Sequence, residues 1–341
     1  MIAQHLPVLQ ILLPLLAAPV CMFIRHPHVV WVWTTVITWM CLPISIAILM
    51  QVMESGVIVY ELGDWAAPWG IEYRIDTLNA FVLLIVSMIG AVVMPYARIL
   101  VENEIPASRI YLFYAMMLLC MTGLLGITIT GDAFNLFVFL EISSLSTYVL
   151  VSFGKDRRAL TAAYRYLIMG TIGATFYIIG VGLMYMVTGT LNIADLAILV
   201  PGMADSRTIH AALAFLTVGL ALKAALFPLH MWLPNAYAFA PSAVTVFLAA
   251  TATKVAVYAF IRVVFTIFGD IDILAALPIR YLLMGLAIAA MFAGSAVAIY
   301  QNNAKRLLAY SSVAQIGYMI LGISMDSVTG VTAGIVHLFN H

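Results

Sequence analysis

Charge is what this sequence has least of. Only 9% of its 341 residues are Asp, Glu, Lys or Arg, against 65% in the set AVILMFWYC, whereas a water-soluble domain carries roughly 25% charged side chains. At a mean hydropathy of +1.10 the chain cannot keep its surface in water, and a bilayer has to supply most of its solvent. The fifteen basic and fifteen acidic residues cancel, so there is neither a basic field for nucleic acid nor an acidic tail for a cationic partner. Cysteine is scarce as well. Cys21, Cys41 and Cys120 stand in separate apolar stretches without paired spacing, which argues against a disulfide framework and against a cysteine-held zinc or iron–sulfur centre. No Rossmann glycine pattern, CxxC pair or haem-attachment motif is present, so no catalytic residues, cofactor or metal are assigned to this chain, and any redox centre would belong to partner chains.

What is present is a series of apolar runs. A bilayer core takes about 20 mainly apolar residues per helix, and such runs fall near 6–24, 29–53, 76–97, 110–129, 132–153, 160–188, 209–227, 242–265, 280–300 and 304–324, with an eleventh from about 328. The first lacks a preceding Lys or Arg and is read as a retained helix rather than a cleaved leader. The eleventh is still running at His341, and a chain end inside a membrane helix would strand backbone groups in lipid, so the sequence reads as a fragment of a longer protein. Lys and Arg concentrate in the loops after helices 1, 3, 5 and 9 (Arg25, Arg98, Arg109, Lys155, Arg157, Arg158, Lys305 and Arg306). The opposite loops hold Arg74, Arg207, Arg262 and Arg280 and many acids, Glu54, Glu61, Asp64, Glu72, Asp76, Asp195, Asp205, Asp270, Asp272 and Asp326 among them. The excess of positive charge marks the inner side, which places the N-terminus outside. Residues 190–200 are too short to span and are expected to form a small interfacial helix or hairpin on the outer face.

The informative residues are charges where lipid should forbid them. Glu141 falls eight residues into the fifth run, roughly 12 Å deep at the helical rise, Lys254 falls near the middle of the eighth, and Lys223 near the end of the seventh. Even the mildest insertion scale charges about 2.5–3.5 kcal/mol for such a side chain at a helix centre. Each lies among polar residues at helical spacing: Ser144 and Tyr148 follow Glu141 at i+3 and i+7, and Thr251 and Tyr258 flank Lys254 at i−3 and i+4. Ser311, Gln315 and Tyr318 repeat the pattern in the tenth run. Burial favours a neutral amine and a neighbouring carboxylate favours the ammonium, so a change in their separation would load or unload a proton. The plainer reading of Glu141 and Lys223 is an ion pair that only fixes helix packing.

The seventh run also contains a reason to break. After Lys223 come Pro228, Pro234 and Pro241 within fourteen residues, and proline removes a backbone donor and clashes with the preceding turn. A broken helix beside a buried lysine resembles a transport site, although Pro234 and Pro241 also suit a loop that merely caps a helix. His230 follows the break, and His337 and His341 stand at i, i+4 on the eleventh run. That spacing suits a metal ion as well, but no third ligand lies near it, and proton transfer is preferred.

These stretches resemble a known family. Gly131-Asp132-Ala133-Phe134-Asn135-Leu136-Phe137-Val138-Phe139-Leu140-Glu141, Leu222-Lys223 through Pro228 to Ala236, Thr253-Lys254 through Tyr258, and Lys305-Arg306 through Ser312 with Gln315-Ile316-Gly317-Tyr318 are similar to the antiporter-like membrane subunits shared by Mrp-type sodium/proton antiporters, respiratory complex I and membrane-bound hydrogenases. The resemblance implies an all-α polytopic bundle with a broken seventh helix, about eleven transmembrane helices here of a probable fourteen. It implies N-terminal helices 1–3 in residues 1–108 and a proton-translocating domain in 109–341, truncated at its C-terminal end. It implies a pair between Glu141 and Lys223, a central relay at Lys254, and a histidine at His341 followed by an exit residue on a twelfth helix. Asn303 stands where many members carry an acid. Residues 131–137 and 189–197 look most like the D-type subunit of the Mrp antiporters, and the partners implied are other membrane subunits, protons and Na+, in a bacterial or archaeal cell membrane. Two other readings stand beside it: the proton-pumping arm of a redox complex, of the NADH–quinone or hydrogenase type, and a membrane scaffold that carries no ions.

Overall fold

The structure, a computed structural model, describes residues 2–269 and 279–341; Asp270 and Asp272, counted above among the outer-loop acids, lie outside them. The chain is mostly helical: α1 Leu6–Phe23, α2 Pro27–Ser55, α3 Thr77–Glu104, α4 Ile110–Ile129, α5 Ala133–Ser152, α6 Arg158–Thr188, α7 Ile193–Leu199, α8 Arg207–Ala224, α9 Leu233–Phe239, α10 Ser242–Ile261, α11 Ile279–Ile299, α12 Ala304–Ser324 and α13 Val328–Asn340. Among the described residues ten helices are long and apolar enough to cross a membrane, and α13 is a shorter apolar helix. The hydropathy runs placed these helices to within a few residues, except that α3 continues to Glu104, so Arg98 rides on the helix. Of the small helix or hairpin expected in 190–200 the structure shows a helix, α7, capped by Asn192, whose side chain accepts the amides of Ala194 and Asp195 at 2.8 and 3.0 Å.

The short helix α9 was not foreseen, nor were two further features. The loop 54–76 contains a two-stranded antiparallel hairpin, β1 Ile58–Glu61 and β2 Glu72–Ile75, pairing Ile58 with Ile75 and Glu61 with Glu72. Beyond Ile261, α10 continues as a π-turn, Arg262–Ile267. Arg262, expected in a loop, sits on this helical extension, its Nε donating to the Tyr258 hydroxyl at 3.2 Å.

The chain divides into two compact units, Met1–Leu167 with Phe239–Thr251 and Ile168–Ala238 with Ala252–His341. In the first, α1 packs on α2 and α4, α2 on α3, and α4 on α5. A polar node joins α1, α2 and α3 inside this apolar packing: the Gln10 amide donates to the hydroxyls of Ser45 and Ser87 at 2.8 and 3.0 Å, and the two hydroxyls lie 2.6 Å apart. In the second, α11 packs on α12 and α12 on α13. Large apolar side chains such as Phe23, Met53, Ile99, Leu160, Phe292 and Ile299 are exposed, as expected of helices whose outer faces meet hydrocarbon rather than water.

Candidate functional site

Glu141 is held by the way α5 starts and by what α4 lacks. Asp132 caps α5, its carboxylate accepting the Asn135 amide at 2.6 Å, a cap worth about 1 kcal/mol. One face of α5 then lies close against α4 because Gly126 has no side chain: a Cβ there would stand inside the ring of Phe139, two residues before Glu141. The Cys120 thiol and Thr147 hydroxyl meet across the same seam at 3.3 Å. Glu141 itself is half-buried, Ser144 and Tyr148 are buried, and the Tyr148 ring meets Tyr166 edge-on at 4.7 Å. Much of the remaining polarity of α5 is turned on its own backbone: Ser143, Ser146 and Thr147 donate to the carbonyls of Leu140, Ile142 and Ser143, which neutralises hydroxyls in an apolar setting.

The second unit contains the break. α8 ends at Ala224, and Ala225 adopts a left-handed backbone, φ 57° and ψ 40°. The Leu226 amide reaches back to the Ala221 carbonyl at 2.9 Å and the Ala225 amide to Leu222 at 3.2 Å, a Schellman closure with alanine where glycine is usual. The Trp232 indole also donates to the Leu222 carbonyl, at 3.0 Å. Lys223, 8% exposed, thus sits in the last turn of α8, where the negative end of the helix dipole favours a cation. Pro228 lies in the break. Pro234 occupies the second position of α9, where a missing amide costs nothing, so it fits the capping reading. His230 is buried and stacked on Phe227 at 5.2 Å, with Tyr310 of α12 edge-on at 6.4 Å.

Lys254, on α10, is 2% exposed, and His337 of α13 and His341, which follows that helix, lie within its electrostatic reach. Nε2 of His337 is 2.6 Å from Oε1 of Gln315, and the Tyr318 ring lies 5.7 Å from the imidazole. Ser311 is half-buried and His341 exposed. Thr251 and Tyr258 each make a hydrogen bond within or along α10. The Thr251 hydroxyl donates to its own helix at the Phe247 carbonyl, 2.6 Å away, and the Tyr258 hydroxyl takes the Arg262 guanidinium.

Of the expected residues, the second unit therefore gathers Lys254, His337, His341 and Gln315, and places His230 beside Tyr310. Lys223 ends α8 in the same unit, and Glu141 belongs to the first. Sequence reading passed over Tyr310 and Trp232 as functional neighbours, although both lie inside the motif stretches. It had no signal for Arg262, since nothing in Arg-Val-Val-Phe-Thr-Ile distinguishes a π-turn from a plain helix end.

Comparison with known proteins adds an independent finding. The family profile described as NADH:quinone oxidoreductase/Mrp antiporter, TM, matches residues 130–341. NADH-quinone oxidoreductase subunit N of Desulforudis audaxviator is 39% identical over 349 residues, covering 99% of this chain and 67% of the relative. The D-type subunit of the Na(+)/H(+) antiporter of Alkalihalophilus pseudofirmus is 30% identical over 339 residues, with 99% and 67% covered. Among solved structures, a chain of the membrane-bound sulfane sulfur reductase, an archaeal respiratory membrane complex, superposes with a TM-score of 0.91 at 32% identity, covering 99% of this chain and 68% of that one. A chain of the Mrp complex from Dietzia sp. gives 0.89 at 27% identity, with 100% and 62% covered. The chain thus spans about two thirds of the length of these proteins.

Proposed function

The chain belongs to the NADH:quinone oxidoreductase/Mrp antiporter transmembrane family, and from that premise we propose that it is an antiporter-like, proton-translocating membrane subunit of a larger complex. The observation that carries the reading is Lys254: an amine 2% exposed on a membrane helix, within electrostatic reach of two histidines. Buried ionisable groups at membrane depth are costly enough to be rare outside ion and proton paths. In this reading Glu141 and Lys223 form a charge pair whose separation sets the proton affinity of the lysine, Lys254 is the central carrier, and His337 with Gln315 passes the proton on. His341 and a residue on a further helix continue the route, in a bundle of fourteen helices to which this chain contributes eleven. The N-terminus faces outward, following the distribution of Lys and Arg.

The complex we favour is a multi-subunit monovalent cation/proton antiporter of the Mrp type, on the strength of residues 131–137 and 189–197. A specific observation supports the pumping arm of a redox complex as the second reading: the 39% identity to a protein named as a subunit of NADH-quinone oxidoreductase. The proton relay is common to both. The test is Glu141→Ala and Lys223→Ala in the assembled complex, reconstituted in proteoliposomes with a pH-sensitive dye inside. Proton-coupled transport is expected to disappear while the complex still assembles; full transport in either variant overturns the relay.

A further inference from the structure

At one end of the first unit α3 finishes at Glu104, α4 begins at Ile110 and α5 finishes at Ser152. Between them lies a pocket of about 420 Å3, within the range of roughly 300–1,000 Å3 usual for small-molecule sites. Asn103 and Glu104 line it from the end of α3, Arg109 from the turn before α4, and Ser152, Gly154 and Lys155 from the end of α5 and the turn after it. That turn is drawn against the start of α10 at Gly154, where a Cβ would run into the Phe239 carbonyl oxygen. Close by, the Glu104 carboxylate takes both the amide and the hydroxyl of Ser242, each at 2.6 Å.

Those two bonds decide the charge that the pocket presents. Glu104 is taken up by the first turn of α10, where free amides and the helix dipole favour an anion. Arg158, on the same α5–α6 connection, is committed as well: its Nε donates to Asp156 at 2.8 Å, and its guanidinium lies 4.6 Å from the centre of the Phe239 ring. Arg109 and Lys155, both exposed, make no salt bridge among the described residues. Two cations without an acid of their own thus line a cavity whose one carboxylate is already bound on both oxygens.

Away from the pocket, toward the membrane interior, the surface turns apolar. Val92, Tyr96 and Ile99 are exposed and stand at i−11, i−7 and i−4 from Asn103, one face of α3 that runs roughly 16 Å along the helix. Leu145 and Val149, also exposed, stand at i−7 and i−3 from Ser152 on α5. Cations at the helix ends with apolar stripes below them match the anatomy of a phospholipid, whose phosphate sits at headgroup depth and whose chains lie in the hydrocarbon. Free phosphate would use the cations and leave the stripes idle. We infer that this pocket holds the headgroup phosphodiester of one anionic phospholipid, paired with Arg109 and Lys155, its acyl chains lying along α3 and α5. A zwitterionic choline headgroup would bring a third cation to a site that already has two. Binding is read without transport, so it stands apart from the proton relay.

The test titrates the full chain in neutral detergent micelles with phosphatidylglycerol labelled on its tail, with phosphatidylcholine of the same chains, and with inorganic phosphate as competitor. One phosphatidylglycerol per chain is expected to bind, about tenfold tighter than phosphatidylcholine. Arg109→Gln and Lys155→Gln should each weaken it by about tenfold, the scale of one lost charge-assisted hydrogen bond. Both side chains are exposed, so the variants should unfold at the wild-type midpoint when no lipid is added. Arg25→Gln, which removes a charge from the exposed α1–α2 turn, should bind like the wild type. The proposal is overturned if phosphatidylcholine binds as tightly, if both pocket variants bind like the wild type, or if Arg25→Gln weakens binding as much as they do, the mark of a diffuse field. It is also overturned if inorganic phosphate displaces the lipid at equal concentration, since the chains would then contribute nothing and free phosphate would be the occupant.

Discussion

Nε2 of His337 on α13 lies 2.6 Å from the amide oxygen of Gln315 on α12. An amide oxygen only accepts, so with the oxygen turned to the ring Nε2 carries the hydrogen, and Nδ1 of the neutral ring becomes the nitrogen that takes or gives a proton. Two helices that follow one another in the chain thus fix both the position and the tautomer of a histidine lying near the Lys254 amine.

Removing that hydrogen bond should therefore slow transfer without unfolding the helix pair. Gln315→Leu, close in volume, is expected to lower proton translocation about tenfold, the equivalent of a hydrogen bond worth about 1.4 kcal/mol. Rates measured in proteoliposomes at matched complex content decide it, and an unchanged rate would remove Gln315 from the route.

Lys254→Arg keeps the charge and most of the volume but replaces an amine that can lose its proton with a guanidinium that cannot. If the lysine alternates between charged and neutral forms, the variant should lose about 100-fold or more of its transport, the scale of positioned acid–base groups. If the lysine is only a fixed charge, activity should largely persist. Comparing the two proteins at several pH values adds a second readout, because a fixed guanidinium should flatten any pH dependence that comes from this step.

The sequence disclosed the helices because each is a long apolar run, and it disclosed Glu141, Lys223 and Lys254 because a charge in such a run is conspicuous. The hairpin escaped for the opposite reason. Its strands, Ile58–Glu61 and Glu72–Ile75, are four residues each, too short for a window suited to membrane helices, and the alternation of Glu72, Tyr73, Arg74 and Ile75 drowns in a polar loop. Glu72 was accordingly counted as one more outer acid, while in the structure it is buried and its carbonyl takes the amide of Gly131, a residue 59 positions along the chain. Helical spacing shows which face the hydroxyls of Thr251 and Tyr258 occupy but not whether one turns back to its own backbone, as that of Thr251 does at the Phe247 carbonyl.

Ala225 tests whether the helix break is built into the chain by its backbone. A left-handed conformation costs a non-glycine residue about 1–2 kcal/mol, and more with a branched Cβ. Ala225→Gly should leave the unfolding midpoint unchanged or slightly raised. Ala225→Val should lower it and, by straining the turn that follows Lys223, reduce transport. If both variants unfold like the wild type, the turn does not hold the φ of 57° that ends α8.

Gly126 offers the same kind of test for the glutamate. Its Cα faces the ring of Phe139 so closely that a methyl group would overlap it, and Phe139 is 6% exposed, so the ring has little room to withdraw. Gly126→Ala should therefore push α5 outward or turn Phe139 off its rotamer, at a cost of about 1–3 kcal/mol, and shift the segment that carries Glu141. The expected result is a lower unfolding midpoint together with a loss of proton transport. Shortening the opposing ring, as in Gly126→Ala with Phe139→Leu, should restore both in part, because the added methyl then occupies space the smaller side chain vacates. Recovery of stability without recovery of transport would show that the aromatic ring itself, rather than the helix spacing it sets, matters to Glu141. A Gly126→Ala protein that keeps full stability and full transport would show that α4 and α5 do not meet as closely as the Gly126–Phe139 contact requires.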